Sequence, residues 1–598
     1  MCGIAGYIGG GDSTAIVEDG LSNLEYRGYD SAGVAFVGER LTVEKQTGTI
    51  DGIDIPTNND ISQGIGHTRW STHGEPTDAN AHPHTDCTSS VAVVHNGIIS
   101  NYDDLKAELG GHVFESETDT EVVPHLIEEE LTAGYDFVPA VRRATDQLKG
   151  SYAIAVTHAD KAKLVVARQD SPLVVGHGEE GMYIGSDVTA FAEFTQRVSY
   201  LEDGDLAVIA DDDVTVYNDG QQVSRPIRQV DWDTSAAEKA GHDHYMHKEI
   251  HEQPHALRQA LSGRINDLEG TVDLDIDIEG TFGDCEFVEI IACGTSYHAG
   301  LCAKRFLESH TDLAVSVNIA SEYEPAHPHR ATDTVALAIT QSGETADTLA
   351  ALRDAKAVGM RTVAVTNTVG STVTREVDES LFIRAGPEIG VAATKTFVSQ
   401  VATLTLLAVA VGQHRGTLSA GEATDLLESV QALPSAVQSI LDTEAEIRET
   451  AEDHADGEAF FFIGRQLGHP VALESALKLK EISYDHAEGF PSGELKHGPL
   501  ALVTPNTPVI AFLTDATDPR ETLHNAKEVE SRGAPVIGLS TLADADTYCA
   551  ETIDIPEIGV LEPMVANVAM QLFAYHVAKL KDRNIDKPRN LAKSVTVQ

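Results

Sequence analysis

The sequence is short of basic residues. Its 598 residues include 42 Lys and Arg against 94 Asp and Glu, which gives a formal net charge of −52. Such an excess of negative charge repels nucleic acid and anionic membrane surfaces, so neither is expected as a partner. The acidic residues are scattered along the chain and form no single tail. We therefore predict a folded, halophilic protein with a solvated acidic surface, suited to salt so concentrated that charges are screened within about 3 Å.

Cysteine is scarce as well. The six cysteines show no paired spacing and no Cys-x-x-Cys motif, which argues against a disulfide framework and fits a reducing cytoplasm. No secretory leader precedes Cys2. The most apolar run, residues 401–411, is shorter than the roughly 20 residues needed to span a bilayer. The sequence thus predicts a cytoplasmic protein without a membrane segment, long enough for two to four domains.

Cys2 is placed to become the first residue, because Met1 is readily removed when a small residue follows it. The mature residue would carry both a thiol and a free α-amine. Because such an amine has an ordinary pKa of about 8, it could take the thiol proton and generate a thiolate nucleophile. The apolar, glycine-rich residues 3–8 predict a buried strand that holds this terminus. Taken alone, position 2 fits an inert thiol on an ordinary buried strand better.

Up to about residue 216 the pattern favours short β-branched strands with few helices, which predicts a layered, β-rich domain over residues 1–220. The predicted strands are 32–37, 91–94, 152–157, 164–167 and 206–209, and the predicted helices are 14–24, 102–108 and 121–132.

Three stretches of this domain carry polar motifs, at 67–76, 94–99 and 117–121. Each also has an ordinary structural interpretation: the Asn96-Gly97 pair is typical of a turn, and Thr118 with Glu121 is typical of a helix capping box. A group of histidines and a cysteine could indicate a metal site, but the spacing matches no common zinc pattern, so no metal is predicted. That group is His67, His73, His82, His84 and Cys87.

Together with Cys2, these motifs resemble the glutamine amidotransferases of the N-terminal-nucleophile class. The resemblance implies that Cys2 attacks the glutamine amide and forms a γ-glutamyl thioester. It implies an oxyanion hole made by the Asn96 amide and the Gly97 N–H. It also implies that Arg69 binds the glutamine α-carboxylate and that Asp119 binds the α-ammonium.

The chain becomes polar at residues 221–245, which predicts a linker between domains. His247 and His251 follow, four residues apart and therefore on one helical face. This pattern is more typical of a solvated helix face than of a metal pair. The helix that carries both histidines is predicted to end at or before Pro254.

From about residue 284 strands and helices alternate, which predicts parallel α/β sheets. The pattern occurs twice, so we predict two doubly wound subdomains at 270–425 and 440–580, followed by a tail at 581–598. The predicted strands are 288–292, 335–340, 362–366, 459–463, 508–513 and 535–539.

In the first of these halves, two turns that follow strands carry small hydroxyl residues: Thr295 and Ser296, then the stretch from Thr340 to Thr345. Hydroxyls and backbone N–H groups at a helix N-terminus suit phosphate. Neighbouring parallel strands end at one edge of the sheet, where open α/β sheets bind ligands. The same residue types also cap helices. The matching turn of the second half, 514–518, is acidic and suits phosphate badly.

These turns resemble the sugar-isomerase (SIS) fold that binds phosphosugars. With the segments 476–484 and 493–500 and the tail 586–597, the whole chain resembles the isomerizing glutamine–fructose-6-phosphate aminotransferase family. The resemblance implies conversion of fructose 6-phosphate and glutamine to glucosamine 6-phosphate and glutamate, the first step of hexosamine synthesis. It implies no cofactor and at least a homodimer.

The resemblance assigns roles in the sugar reaction. Lys593 would form a Schiff base with the open-chain ketose, and Glu481, assisted by Lys478, would move the proton between C1 and C2. His497 would assist ring opening and reach the neighbouring subunit's site. The ordinary alternatives are a solvated lysine, a helix-surface acid paired with Lys478, and a loop histidine.

The resemblance also assigns ligand contacts. One departure from the family is Ala393, where a serine is usual, so a contact to a sugar hydroxyl is lost. The ammonia path is expected to be lined by Trp70 and Ala592, although a tryptophan is more commonly part of the core. The phosphate is expected to be held by Ser296, Thr340, Gln341, Ser342 and Thr345, with Thr295 nearer the sugar.

Two other functions were weighed. A phosphosugar-sensing regulator that has lost catalysis predicts changes at Cys2, Glu481, His497 or Lys593, and all four residues are present. A phosphoribosyl-diphosphate amidotransferase needs an acidic diphosphate-binding motif after a strand, and the sequence has none.

Overall fold

The computed structural model of the protein describes residues 2–25, 28, 30–55, 61–69, 75–230, 239, 241–266 and 270–596. The chain divides into two compact units. The N-terminal unit comprises Met1–Ala237 with Ala592–Gln598, and the second unit comprises Glu238–Leu591.

The N-terminal unit is built on two antiparallel sheets. The strands are β1 (Gly3–Gly9), β2 (Ser31–Val37), β3 (Leu41–Thr47), β4 (Gln63–Arg69), β5 (His84–Thr85), β6 (Val91–Ile99), β7 (Gly150–His158), β8 (Lys161–Gln169), β9 (Val174–His177), β10 (Gly181–Gly185), β11 (Arg197–Tyr200), β12 (Asp205–Ile209), β13 (Val214–Asn218), β14 (Gln221–Val223) and β15 (Arg228–Gln229). One sheet has the order β15-β11-β9-β10-β1-β4-β2-β3, and the other has the order β14-β13-β12-β8-β7-β6-β5.

Helices cover the outer faces of both sheets: α1 (Ser13–Leu24), α2 (Tyr102–Glu108), α3 (Val122–Thr132) and α4 (Phe137–Thr145). All seven residues of β1 are buried because the strand is covered on both faces. Ile4 and Ile8 share a core with Val94 of the other sheet, whereas Ala5 and Tyr7 pack with α1. A third core joins β6 and β7 to α3 and α4. The layered, β-rich architecture predicted from the sequence is confirmed.

The predicted strands and helices of this unit all occur, and the ordinary structural interpretations of two of the polar motifs are wrong. Asn96 and Gly97 lie inside β6 and form no turn between strands. Thr118 and Glu121 form no capping box, because neither makes a capping hydrogen bond. The Glu121 carboxylate instead accepts hydrogen bonds from the backbone of residues 115 and 116.

The second unit contains two five-stranded parallel sheets and a short β-ribbon. The strands are β16 (Ile265–Asn266), β17 (Thr271–Val272), β18 (Phe287–Ala292), β19 (Ala314–Ile319), β20 (Thr334–Thr340), β21 (Arg361–Thr366), β22 (Glu379–Phe382), β23 (Phe460–Gly464), β24 (Ala487–Pro491), β25 (Val509–Leu513), β26 (Val536–Ser540) and β27 (Glu551–Asp554). The helices are α5 (Tyr245–His251), α6 (Gln253–Leu261), α7 (Ile278–Phe282), α8 (Gly294–His310), α9 (Ala346–Ala357), α10 (Thr372–Glu376), α11 (Lys395–Arg415), α12 (Ala420–Asp442), α13 (Glu444–His454), α14 (Gly468–Ser483), α15 (Pro519–Glu530) and α16 (Glu562–Leu580).

The two parallel sheets have the same topology. Their orders are β19-β18-β20-β21-β22 and β24-β23-β25-β26-β27, so each half adds its strands in the sequence 2-1-3-4-5. This is a doubly wound arrangement with a ligand-binding switch point between strands 1 and 3. The internal repeat predicted from the sequence is confirmed.

A single hydrophobic core runs through both halves, and α11 and α16 lie within it. Among the described residues, α11 alone is long and apolar enough to cross a membrane. In its most apolar 18-residue stretch, 94% of the residues are buried inside the protein. Helix α11 is therefore a core helix of this unit.

Candidate active sites

Cys2 stands directly before β1 and is partly exposed. The side-chain Nδ2 of Asn96 donates a hydrogen bond to the Cys2 carbonyl oxygen at 3.0 Å. The Asn96 Oδ1 accepts a second bond, at 3.0 Å, from Nε2 of His67. Burial lowers the pKa of His67 to about 3, so the ring is neutral at physiological pH and carries its proton on Nε2. His67 thereby fixes which way the Asn96 amide points.

Gly97 follows Asn96 within β6 and has a φ of +121°. A Cβ atom at this position would lie 2.0 Å from the carbonyl oxygen of Ser151. The backbone conformation and this close approach therefore both require glycine.

Arg69 and Asp119 lie close to the Cys2 region. Arg69 ends β4, which pairs directly with β1, and its side chain is buried. Burial lowers the pKa of Arg69, while the charges of Cys2 and Asp119 act in the opposite direction. Oδ2 of Asp119 accepts a hydrogen bond from the backbone N–H of Ile99, at the end of β6, at 2.7 Å. The structure thus brings together five residues selected from the sequence, namely Cys2, Arg69, Asn96, Gly97 and Asp119. Trp70 lies outside the described residues.

A group of buried histidine rings packs next to Asn96, and no sequence motif indicates it. The ring of His67 stacks on that of His82 with centroids 4.3 Å apart, and His82 contacts His84 at 4.9 Å and His95 at 6.4 Å. Burial lowers the pKa of His82 and of His84 well below the usual value. The rings of His67, His82 and His84 therefore pack as neutral groups. His73 lies outside the described residues.

In the second unit, α14 carries Lys478 and Glu481. Lys478 is completely buried, and its Nζ donates to Oε2 of Glu481 at 2.6 Å and to Oγ1 of Thr295 at 3.3 Å. Burial alone would lower the pKa of Lys478, but the nearby carboxylates outweigh it and raise that pKa. The pair is therefore internal, and the interpretation of Glu481 as one half of a surface pair is wrong.

Glu474 is the main residue of this region that the sequence analysis missed. It is fully buried and accepts hydrogen bonds from Thr295 Oγ1 at 2.9 Å and from His298 Nδ1 at 2.7 Å. The spacing of Glu474 in the sequence could have indicated it, because residues four and seven positions further along a helix lie on the same face. Lys478 and Glu481 stand at those positions.

The hydroxyl-rich turns lie side by side, because β18 and β20 are adjacent parallel strands. Ser296 is in the first turn of α8, and its Oγ accepts a hydrogen bond from Nε2 of Gln400 at 3.0 Å. Through Thr295, this turn also reaches Lys478 and Glu474. The first α/β half thus supplies the turns, and the second supplies the acid–lysine pair beside them.

The second turn connects β20 to α9 and is held by its own hydroxyls. Oγ1 of Thr340 lies 3.4 Å from Oγ1 of Thr345 and accepts a hydrogen bond from the Gly343 N–H at 3.2 Å. Oγ of Ser342 accepts from the Glu344 N–H at 3.2 Å. Gln341 lies in the same turn and its carbonyl oxygen accepts from the backbone of residue 367. The loop is therefore ordered by local hydrogen bonds, whereas Thr345 at the N-cap of α9 makes no side-chain capping bond.

The remaining predicted residues lie on other segments of the chain. His497 ends a short 3-10 helix, Ser492–His497, and is exposed. Ala592 and Lys593 are partly exposed and group with the N-terminal unit, whereas the tail up to Leu591 groups with the second unit. Ala393 is also partly exposed.

One expectation for the start of the second unit is wrong. His247 and His251 do not form a solvated face, because the Glu444 carboxylate lies 2.8 Å and 3.2 Å from their Nε2 atoms. His576 contacts the same carboxylate at 2.9 Å. These hydrogen bonds hold the pKa of Glu444 far below its usual value. Helix α5 ends at His251, before Pro254, as predicted.

Two family descriptions match the chain. A glutamine amidotransferase domain matches residues 67–193, and a SIS domain matches residues 284–410 and again 456–581. Fold and site together therefore define a glutamine amidotransferase joined to a double sugar-isomerase unit.

Full-length relatives define the family more narrowly. The glutamine–fructose-6-phosphate aminotransferase (isomerizing) of Halobacterium salinarum is 60% identical over 601 residues, and that of Symbiobacterium thermophilum is 47% identical over 611 residues. Both alignments cover 100% of each chain. A solved C-terminal domain of glucosamine-fructose-6-phosphate aminotransferase from Francisella tularensis matches 59% of this chain and 99% of its own, with 36% identity and a TM-score of 0.55. The chain belongs to the isomerizing glutamine–fructose-6-phosphate aminotransferase family.

Proposed function

We propose that the protein converts fructose 6-phosphate and glutamine to glucosamine 6-phosphate and glutamate. The observation that carries the proposal is the polar centre retained in each unit of one chain. In the N-terminal unit Asn96 is hydrogen-bonded to Cys2, and in the second unit Lys478 is paired with Glu481. A regulator without catalysis has no need for either centre.

In the N-terminal unit, the α-amine of Cys2 takes the thiol proton, and the thiolate attacks the side-chain amide of glutamine. The Asn96 Nδ2 and the Gly97 N–H stabilise the developing oxyanion. Ammonia leaves, and water then cleaves the thioester to release glutamate. The position of Arg69 and Asp119 near Cys2 supports their roles in binding the α-carboxylate and α-ammonium of glutamine.

At the sugar site, His497 assists ring opening, and Lys593 of the C-terminal tail forms a Schiff base with the ketose. Formation of this Schiff base releases the C2 oxygen as water. Ammonia then displaces the lysine amine at C2 and leaves an imine of the sugar. The Glu481 carboxylate then moves a proton from C1 to C2. The Lys478 ammonium lies 2.6 Å from Glu481. It balances the negative charge of the carboxylate before Glu481 takes up the proton from C1.

Sugar phosphate binds at the hydroxyl-rich turns of the first α/β half. With a formal net charge of −52, the protein cannot attract this anion at long range, so local hydrogen bonds must hold it. The adjacent C-terminal ends of β18 and β20 support this placement. Thr295 binds nearer to the sugar, because it contacts Lys478.

Three further parts of the proposal rest on the sequence. Trp70 and Ala592 line a path that carries ammonia from Cys2 to the sugar. The protein acts as at least a homodimer in which the exposed His497 completes the neighbouring subunit's site. It works in the cytoplasm.

The test supplies glutamine and fructose 6-phosphate to the full-length protein and measures glutamate and glucosamine 6-phosphate. Wild type should form both products. Cys2→Ala should form neither, yet should still isomerise the sugar phosphate, because Glu481 is in the other unit. Cys549→Ala is the matched control, since burial raises the pKa of the Cys549 thiol to about 11 and leaves it unreactive. Glutaminase activity in Cys2→Ala, or no amino sugar from wild type, would refute the proposal.

A further inference from the structure

Four side chains of the N-terminal unit, none of them used in the glutamine reaction, converge from three separate segments. Cys87 lies in the turn between β5 and β6, and His112 lies in the loop after α2. His125 and Glu128 are three residues apart on one face of α3. One donor atom from each of the four lies within 4.8 Å of all the others.

Four of the distances between these donors, 3.4, 3.7, 3.1 and 3.4 Å, are close to those of a tetrahedral metal site. Sγ of Cys87 lies 3.4 Å from Nδ1 of His112 and 3.7 Å from Nδ1 of His125. Oε2 of Glu128 lies 3.1 Å and 3.4 Å from the same two nitrogens. Ligands arranged tetrahedrally around zinc, at bond lengths of about 2.0–2.3 Å, are separated from one another by about 3.2–3.8 Å.

Ordinary hydrogen bonds explain this arrangement poorly. Each Nδ1 atom faces both a thiol and a carboxylate oxygen, but a ring N–H can point at only one acceptor. Both histidines, His112 and His125, share the same pair of partners. A single cation at the centre would satisfy all four donor atoms at once.

In metal sites, the second ring nitrogen of a ligating histidine usually faces a carboxylate, a carbonyl or water. Carboxylates lie near the second ring nitrogen of both histidines here. Nε2 of His112 lies 3.0 Å from Oε1 of Glu129, and Nε2 of the buried His125 lies 4.0 Å from Oε1 of Glu121. The backbone N–H of Cys87 donates to Oε2 of Glu128 at 3.0 Å. His112 and Cys87 are therefore held by a second set of hydrogen bonds, whereas Nε2 of His125 is buried without a hydrogen-bond partner among the described residues.

We propose that Cys87, His112, His125 and Glu128 bind one Zn²⁺ ion in a closed structural site. The thiolate and the carboxylate together balance the charge of the ion, and the thiol proton passes to solvent on binding. The ion would tie the β5–β6 turn and the loop after α2 to helix α3. That loop leads to Asp119, so the site would stabilise a segment next to the candidate glutamine pocket.

The sequence did not indicate this group, because the histidines nearest to Cys87 in the chain are not the ones that it meets in the fold. The folded chain joins Cys87 to His112 and His125 instead, which are 25 and 38 residues away. Sequence spacing of this kind matches no common zinc pattern.

The test uses the full-length protein, stripped with a chelator and then titrated with Co²⁺ or Zn²⁺. Co²⁺ should produce a thiolate-to-cobalt charge-transfer band in wild type and in Cys549→Ser, but not in Cys87→Ser. Zn²⁺ should displace the Co²⁺ at one equivalent per chain and raise the unfolding temperature of wild type. A second histidine group, His242, His247 and His251, also lies within metal-binding distance, so His242→Ala should be included and should keep the band.

The proposal is overturned if folded wild type gives no charge-transfer band, or if the band persists in Cys87→Ser. If Cys87→Ser does not fold, Glu128→Gln provides the second variant. It should bind Co²⁺ at least tenfold more weakly while keeping the thiolate band at saturating metal. Unchanged affinity in Glu128→Gln would remove the carboxylate from the ligand set.

Discussion

The ammonium of Lys478 lies 2.6 Å from the Glu481 carboxylate, and the lysine is completely buried. A buried charge is costly unless it is paired, and here Glu474 provides a second carboxylate 3.5 Å away. The same lysine donates to Thr295, which begins the first hydroxyl-rich turn. The pair therefore holds the candidate base at a fixed distance from the proposed sugar-phosphate loops.

Glu481→Gln should lower the rate of amino-sugar formation by about 10²–10⁴-fold, because the amide keeps the shape but cannot accept the C1 proton. Glutamine hydrolysis should persist, since Cys2 lies in the other unit. Both products can be followed in one assay. Glu488→Gln is the control, because that partly exposed acid lies on β24 and its carboxylate faces His486. Equal loss in both variants would argue against Glu481 as the base.

His67→Phe should lower kcat for glutamine hydrolysis by about tenfold with little change in KM. The phenylalanine cannot hold the Asn96 amide oxygen, so the amide can rotate away from the nucleophile. Complete loss of an oxyanion donor costs about 10²–10³-fold, and loss of its orientation should cost less. His67→Gln restores an N–H donor and should recover most of the rate. A wild-type kcat in His67→Phe would show that Asn96 needs no such support.

The sequence predicted the strands well, but it could not predict contacts between distant segments. Strands β1 and β18 are apolar runs bounded by turns, and burial on both faces explains those runs. In contrast, Glu474 meets Thr295 across 179 residues, and His247 meets Glu444 across 197 residues. Helical periodicity places Glu474 on the face of Lys478 and Glu481, but it shows neither of these long-range contacts. The His247 face was predicted to be solvated for the same reason.

The sequence indicated the candidate residues that lie within short motifs. It did not indicate the residues whose hydrogen bonds orient them. Asn96 and Gly97 were selected as a pair, yet the histidine that orients Asn96 is 29 residues away. Its place in the motif at 67–76 gave no indication of this contact. The resemblance to a family supplied roles for individual residues, whereas the supporting hydrogen bonds required the fold.

The N-terminal unit should lose stability as the pH falls below about 6.5. Burial lowers the pKa of His67, His82 and His84, that of His67 to about 3. The unfolded chain, in which histidine titrates at about 6.5, then binds three protons that the folded chain does not. The free energy of unfolding should fall by up to about 4 kcal/mol per pH unit between about pH 6.5 and pH 3, and these groups contribute no slope above about pH 7.5.

This pH dependence can be measured as the urea midpoint of the N-terminal unit, with glutaminase activity as the probe, between about pH 7.5 and pH 5. His84→Gln removes one titrating ring and should reduce the slope by about a third. An exposed histidine, His524, provides the control substitution His524→Gln, which should leave the slope unchanged. A midpoint that stays constant over this range would contradict the assignment of neutral buried rings.

The melting temperature should rise from dilute buffer to molar potassium chloride. With a formal net charge of −52, unscreened repulsion opposes the compact state, and added salt removes it. Three consecutive exposed aspartates in the β12–β13 turn, Asp211 to Asp213, offer a matched variant. Asp211→Asn with Asp212→Asn should raise the melting temperature in dilute buffer and leave it unchanged at high salt. Glycerol at equal osmolality controls for effects other than screening. A flat or falling curve with salt would exclude charge repulsion as the cause of any salt requirement.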